Sequence, residues 1–204
     1  MAFIETIPVR DADAEVRAMY ERQQAHYGYV PGYAKVFSHR PEVMRRWAEL
    51  LSGIKRPMGR RRFELVTFAA AHELKSTLCS LAHGNALTEF LSVADVQTIA
   101  AGRTPPSLSK AEAAMVEFAR LVARDATAVT VKDVQDLKHH GFTDAEVFDI
   151  AAAAAARSFF TKVIESLGAD ADTAFGNIED GLKQTLMVGR IVEFVSPDRL
   201  AEAT

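Results

Sequence analysis

The chain has 204 residues, 49% of them apolar and 25% charged, with a formal net charge of −3. This is the balance of an ordinary soluble globular protein, and its slight acidity argues against nucleic-acid binding as the main task. The longest apolar stretch, Ala151–Ala156 with its neighbours, is too short to cross a bilayer, so no membrane partner is expected. No signal peptide is expected either, since Glu5, Arg10, Asp11 and Asp13 interrupt the opening. A single cysteine allows no internal disulfide and points to a reducing cytoplasm.

In chain order, the apolar spacing predicts helices at 11–26, 41–54, 59–74, 77–90, 93–101, 109–124, 131–140, 144–167 and 171–187. Gly28-Tyr-Val-Pro31-Gly32 reads as a turn-rich connector. Ser109-Lys-Ala-Glu112 and Thr143-Asp-Ala-Glu146 are capping boxes, in which the hydroxyl and the carboxylate satisfy each other's amides. Ser92–Asp95 and Thr130–Asp133 are versions with a shorter acid. Stops fall at Gly102, Gly141 and Gly168. The helix at 144–167 carries alanine on almost every side and reads as buried, within the domain or between subunits, so a homo-oligomer is expected. Ile191–Val195 is the one strand-like stretch, and the tail after Pro197 reads as loose. The fold class is all-α, as a single domain over 1–204.

Chemistry concentrates between Glu64 and His83. If the helices on either side of Lys75-Ser76 form an antiparallel pair, Glu64 lies about 15 Å before the turn and His83 about 12 Å after it, at 1.5 Å per residue. They can face each other, with Cys79 a turn nearer the hairpin and level with His72. Ser76 is a good N-cap, which puts Cys79 in the first turn, where unpaired amides favour a thiolate. His83 at i+4 could take the thiol proton and Glu64 could orient that imidazole, the logic of an activated nucleophile. The residues require no cofactor and no metal.

Each of these residues has a plainer reading. A lone cysteine on an alanine-rich helix is often an inert small core residue. His83 could be a satisfied core histidine, and Glu64 half of an exposed pair with Arg60 or Arg61. Against the last, Glu64 sits among Phe63, Leu65, Val66 and Phe68, where a carboxylate is buried and needs a partner. The basic run Lys55-Arg56 and Arg60-Arg61-Arg62 either attracts an anionic substrate or is a solvated face.

The order Glu64, Ser76, Cys79, His83 resembles the motif of the alkyl hydroperoxide reductase D-like group, in the carboxymuconolactone decarboxylase superfamily, with Ser76 standing where the first of two cysteines is found. Gly28–Val43, Leu108–Ala119 and Leu137–Val147 resemble further segments of its longer, peroxidase-related members. The resemblance covers roughly residues 25–170, leaving 171–204 as a C-terminal extension. It departs at Leu78, where histidine or tyrosine is common, and at Phe63, where arginine often precedes the glutamate.

The resemblance implies an all-α bundle with a central antiparallel helical hairpin, assembled as a homo-oligomer. It implies peroxide reduction through a cysteine pair, with a proton relay at Glu64 and His83. It makes Cys79 the second cysteine and Ser76, in place of the first, an accessory position; His72 is a second accessory position by its spacing alone. The first cysteine of such motifs is usually the more exposed, so the absent thiol would be the attacking one. The leading expectation is a one-cysteine thiol peroxidase using an external thiol donor. A carboxymuconolactone decarboxylase-like acid–base enzyme acting on a small organic acid, and a non-catalytic oligomeric member, are the alternatives.

Overall fold

A computed structural model describes residues 2–192, and every regular element among them is helical. The α-helices are α1 (Ala14–Tyr27), α2 (Gly32–Val36), α3 (Pro41–Met58), α4 (Arg60–Glu73), α5 (Thr77–Leu87), α6 (Val93–Ala100), α7 (Lys110–Asp125), α8 (Val131–His139), α9 (Asp144–Ser166) and α10 (Asp180–Leu186). The stretch from Ile191 shows no strand in its described part, and the rest of it, with the tail after Pro197, lies outside the described residues.

The capping chemistry sets most of these starts. Ser109 accepts from the Glu112 amide while the Glu112 carboxylate accepts from the Ser109 amide at 3.0 Å. Thr143 and Glu146 repeat the exchange at 3.2 and 2.9 Å. The expected helix at 171–187 is instead a 3-10 turn, Thr173–Asn177, followed by α10. Glu179 breaks the run by capping α10, accepting from the Gly181 and Leu182 amides at 3.0 and 2.8 Å. The connector after Gly28 contains the short helix α2, which the glycines and Pro31 had concealed. Helix α3 runs past the expected end at 54 and takes Pro57 into its last turn.

The chain groups into two compact units. One comprises residues 2–50 and 162–176, with α1 against α2 and a core of Val16, Met19, Ala34, Val36 and Phe37. There the Tyr20 hydroxyl donates to the Ile7 carbonyl at 2.7 Å, and Asp172 accepts from the Gly32 amide at 2.8 Å.

The other unit comprises residues 51–161 and 177–192. Its centre is α4, packed against both α5 and α7, with Leu65, Phe68, Leu81, Leu87, Ile99 and Met115 fully enclosed. The stretch α10 belongs here, resting on α5 and α6. Gly84 makes the α4–α5–α10 contact possible. A Cβ there would lie 2.7 Å from both Leu186 Cδ atoms and 3.1 Å from the Phe68 ring. Beyond α10 the chain crosses the α4–α5 turn, where the Gly189 amide donates to Thr77 Oγ1 at 3.1 Å. A Cβ on Gly189 would lie 1.8 Å from the Lys75 carbonyl oxygen, so only glycine fits this crossing.

Helix α9 is buried within the chain on one side only. Val147, Ile150, Ala153 and Ala154 are buried, but Phe148 is 69% and Phe159 44% exposed. Among the alanines, the large side chains divide between an inner face and an outer one.

Candidate active site

The expected hairpin is formed by α4 and α5, joined by a tight turn at residues 74–76 with Lys75 at φ 55°. Antiparallel packing brings Glu64 and His83 to one level, and Glu64 Oε2 lies 2.7 Å from His83 Nδ1. Both side chains are nearly enclosed, at 7% and 14% exposure, so this is no surface ion pair. Thr67 Oγ1 donates to the Phe63 carbonyl at 2.8 Å and offers its oxygen 3.3 Å from the same ring nitrogen. With two acceptors facing Nδ1, the proton is assigned there and Nε2 keeps the lone pair a base needs.

Electrostatics agree with that assignment. Burial pushes the Glu64 carboxyl up, but the hydrogen bond and charge of His83, then Lys55 and Arg157, outweigh it and hold Glu64 below the usual range. Burial, then the Arg157 charge, push the His83 imidazole below its ordinary value against the opposing pull of Glu64. At neutral pH the pair is a carboxylate accepting from a neutral imidazole.

Cys79 does not join this pair directly. Ser76 caps α5 by accepting from the Cys79 amide at 3.3 Å, which puts Cys79 at the third position of the helix. Its side chain turns to α9 instead of α4. Thr161 Oγ1 donates to the sulfur at 3.4 Å, and the Arg157 guanidinium, 3.8 Å away, reaches it from one turn earlier on α9. Arg157 is 4% exposed, and its guanidinium lies 5.2 Å from the centre of the Phe160 ring. Arg157 thus acts on both halves of the site, touching the sulfur and biasing the Glu64–His83 pair.

His72 takes no part in these hydrogen bonds through Nε2. Its ring packs on Phe68 at 5.5 Å between centres, its Nε2 is buried without a hydrogen-bond partner, and burial, then the charge of Arg120, push it below its ordinary value. Ser76 is wholly enclosed, against the expectation that the first motif position is the more exposed. Its hydroxyl turns inward onto α5, and the Gly189 segment crosses the residues on either side of it. Three members of the basic run are taken up in pairs: Arg60 with Glu89, Arg61 with Glu112 and Arg62 with Glu146. No group of three or more potential metal-ligating side chains occurs among the described residues.

The reading from sequence missed Arg157 and Thr161. The available signal was an arginine in the middle of an alanine-rich apolar helix, since a charge buried there requires a purpose or a partner.

No protein-family pattern matches the sequence, and no curated protein is detectably similar to it. Solved structures are similar. An alkylhydroperoxidase core described as an uncharacterized peroxidase-related protein from Ralstonia eutropha superposes with a TM-score of 0.75 at 20% identity, over 93% of this chain and 98% of that one. A peroxidase-related protein from Silicibacter gives 0.73 at 20% identity, over 86% and 94%. A debrominase gives 0.70 at 13% identity, over 90% and 97%. The chain has the fold of the alkyl hydroperoxide reductase D-like proteins, and that fold also carries debromination.

Proposed function

We propose that the protein is a one-cysteine thiol peroxidase. The observation that carries this reading is the enclosed Glu64–His83 contact at 2.7 Å, with Cys79 one turn before the histidine on the same helix. In the proposed cycle the thiol proton leaves toward the His83 side of the site, with Glu64 holding the ring. The thiolate attacks one peroxide oxygen, so an S–O bond forms, the O–O bond breaks and the sulfur loses two electrons. The departing oxygen takes up the proton and leaves as water or an alcohol. An external thiol attacks the sulfenic acid and releases water, and a second thiol restores Cys79 and departs as a disulfide.

The test is peroxide consumption with a dithiol donor, comparing the natural protein with Cys79→Ala and His83→Ala. Loss of turnover in both supports the reading, and absence of any Cys79-dependent rate refutes it. Turnover of a small lactone acid that survives Cys79→Ala but not His83→Ala would establish acid–base catalysis by the Glu64–His83 pair instead. Because a debrominase shares the fold, a brominated pyrrole belongs in the substrate panel. Self-association belongs to the same proposal, with exposed Phe148 and Phe159 on α9 as the surface to test by light scattering of Phe148→Glu and Phe159→Glu.

A further inference from the structure

We propose that Arg157 and Thr161 are catalytic residues of the peroxide-reducing step, a pair of donors on α9 that receives the oxygens of a small hydroperoxide at Cys79. The inference rests on the reading of Cys79 as the attacking thiol and adds the groups that would make one cysteine sufficient.

The geometry is specific. Residues 157 and 161 are one helical turn apart, so both side chains leave the same face of α9 and converge on one sulfur, at 3.8 and 3.4 Å. Both are almost fully enclosed, at 4% and 2% exposure. Donors fixed in a water-poor site and aimed where charge develops stabilise a transition state without rearranging. As the sulfur attacks, negative charge moves from it through the entering oxygen to the leaving one. A hydroxyl and a guanidinium that already reach the sulfur stand within reach of an oxygen bonded to it. The guanidinium suits the anionic leaving oxygen, because its planar fork offers more than one N–H. The Phe160 ring restricts the guanidinium, and the Thr161 backbone belongs to a regular helix, so neither donor must be ordered during the reaction.

The same enclosure selects the substrate. Cys79 is 3% exposed and the nearby His83 side chain 14%. So enclosed a thiol is expected to react with hydrogen peroxide and short alkyl hydroperoxides in preference to bulky aryl or lipid hydroperoxides.

The test separates transition-state donors from structural supports. In the full chain, two second-order rates at Cys79 are measured across pH: oxidation by hydrogen peroxide, followed by trapping of the sulfenic acid and mass spectrometry, and alkylation by iodoacetamide. Alkylation needs the thiolate but transfers no oxygen. Arg157→Gln is expected to lower the peroxide rate about 100-fold, and the alkylation rate far less when the two are compared at equal thiolate fraction. Arg157→Lys should recover part of the loss. Thr161→Val should lower the peroxide rate while Thr161→Ser retains it, and this milder pair carries the test if Arg157→Gln does not fold. Cumene hydroperoxide should react more slowly than hydrogen peroxide. Parallel loss of both rates, or no change in either, overturns the assignment of the two donors. A natural protein whose Cys79 oxidises only at the rate of a free thiol overturns the peroxidase reading itself.

Discussion

Replacing Glu64 by Gln isolates the interaction on which the candidate site depends. The substitution keeps the volume and an acceptor oxygen but removes the charge that faces His83 Nδ1 at 2.7 Å. A charge-assisted hydrogen bond is worth about 1.5–3 kcal/mol and a neutral one about 0.5–1.5. The exchange should therefore cost about 1 kcal/mol. Arg157, 4% exposed, also loses a nearby negative charge, which brings the expected total to about 2 kcal/mol. For a chain of this size that lowers the melting temperature by about 4–8 °C. Because the carboxylate is what opposes burial and Arg157 at the imidazole, His83 should also titrate lower in the variant. Thermal denaturation at pH 7.5 and an NMR titration of the His83 ring read both effects. An unchanged melting temperature together with an unchanged His83 titration would refute the picture of an enclosed carboxylate holding this ring.

Both Glu64 and His83 titrate below their ordinary values in the folded chain, so the unfolded chain binds more protons and stability falls on acidification. The histidine contribution is lost as the pH drops below its ordinary value of 6.5, the glutamate contribution below 4.5, and His83→Asn should flatten the first part of a melting-temperature profile from pH 7.5 to 5. Glu112 serves both the α7 cap and Arg61, so Glu112→Ala should cost about 2 kcal/mol in chemical denaturation, against near zero for the exposed Arg45→Ala. Gly189→Ala should displace the segment over the α4–α5 turn and speed hydrogen exchange at the Thr77–Cys79 amides, without changing exchange in α1. Ser76→Cys removes the α5 cap, at about 1 kcal/mol, and places a second thiol three residues before Cys79. A gain of peroxide turnover with a dithiol donor would show that the relay at Glu64 and His83 serves a cysteine pair as well as a single cysteine.

The hairpin could be read from sequence because its geometry is local. The rise per residue and one short turn are enough to bring Glu64 and His83 level, and the capping hydroxyl of Ser76 is defined by its own position in the chain. What α5 shows to its third neighbour was not legible. Cys79 and His83 share a helical face by spacing, yet the cysteine meets Thr161 and Arg157 of α9 while the histidine meets Glu64 of α4. Arg157 and Thr161 reach the sulfur across about 80 residues of chain, a distance over which periodicity carries no information. His72 packs on Phe68 and feels the charge of Arg120, neighbours that spacing along α4 and α5 does not specify in full.

The segment that crosses the α4–α5 turn has a consequence for the order in which the site can come into being. Glu64, Ser76, Cys79 and His83 are adjacent in synthesis, and a chain of about 90 residues could already form their hairpin as a local motif. The two contacts that seat the turn, at Lys75 and Thr77, come from Gly189, and the wall against Gly84 comes from Leu186. Until those residues have been made the turn before Cys79 is unseated, and before residues 157 and 161 the thiol has neither its guanidinium nor its hydroxyl. A chain emerging N-terminus first would carry Cys79 as an ordinary exposed thiol for most of its synthesis. Contacts made late in the chain accompany its enclosure, so premature oxidation at this residue would report a chain that never finished folding.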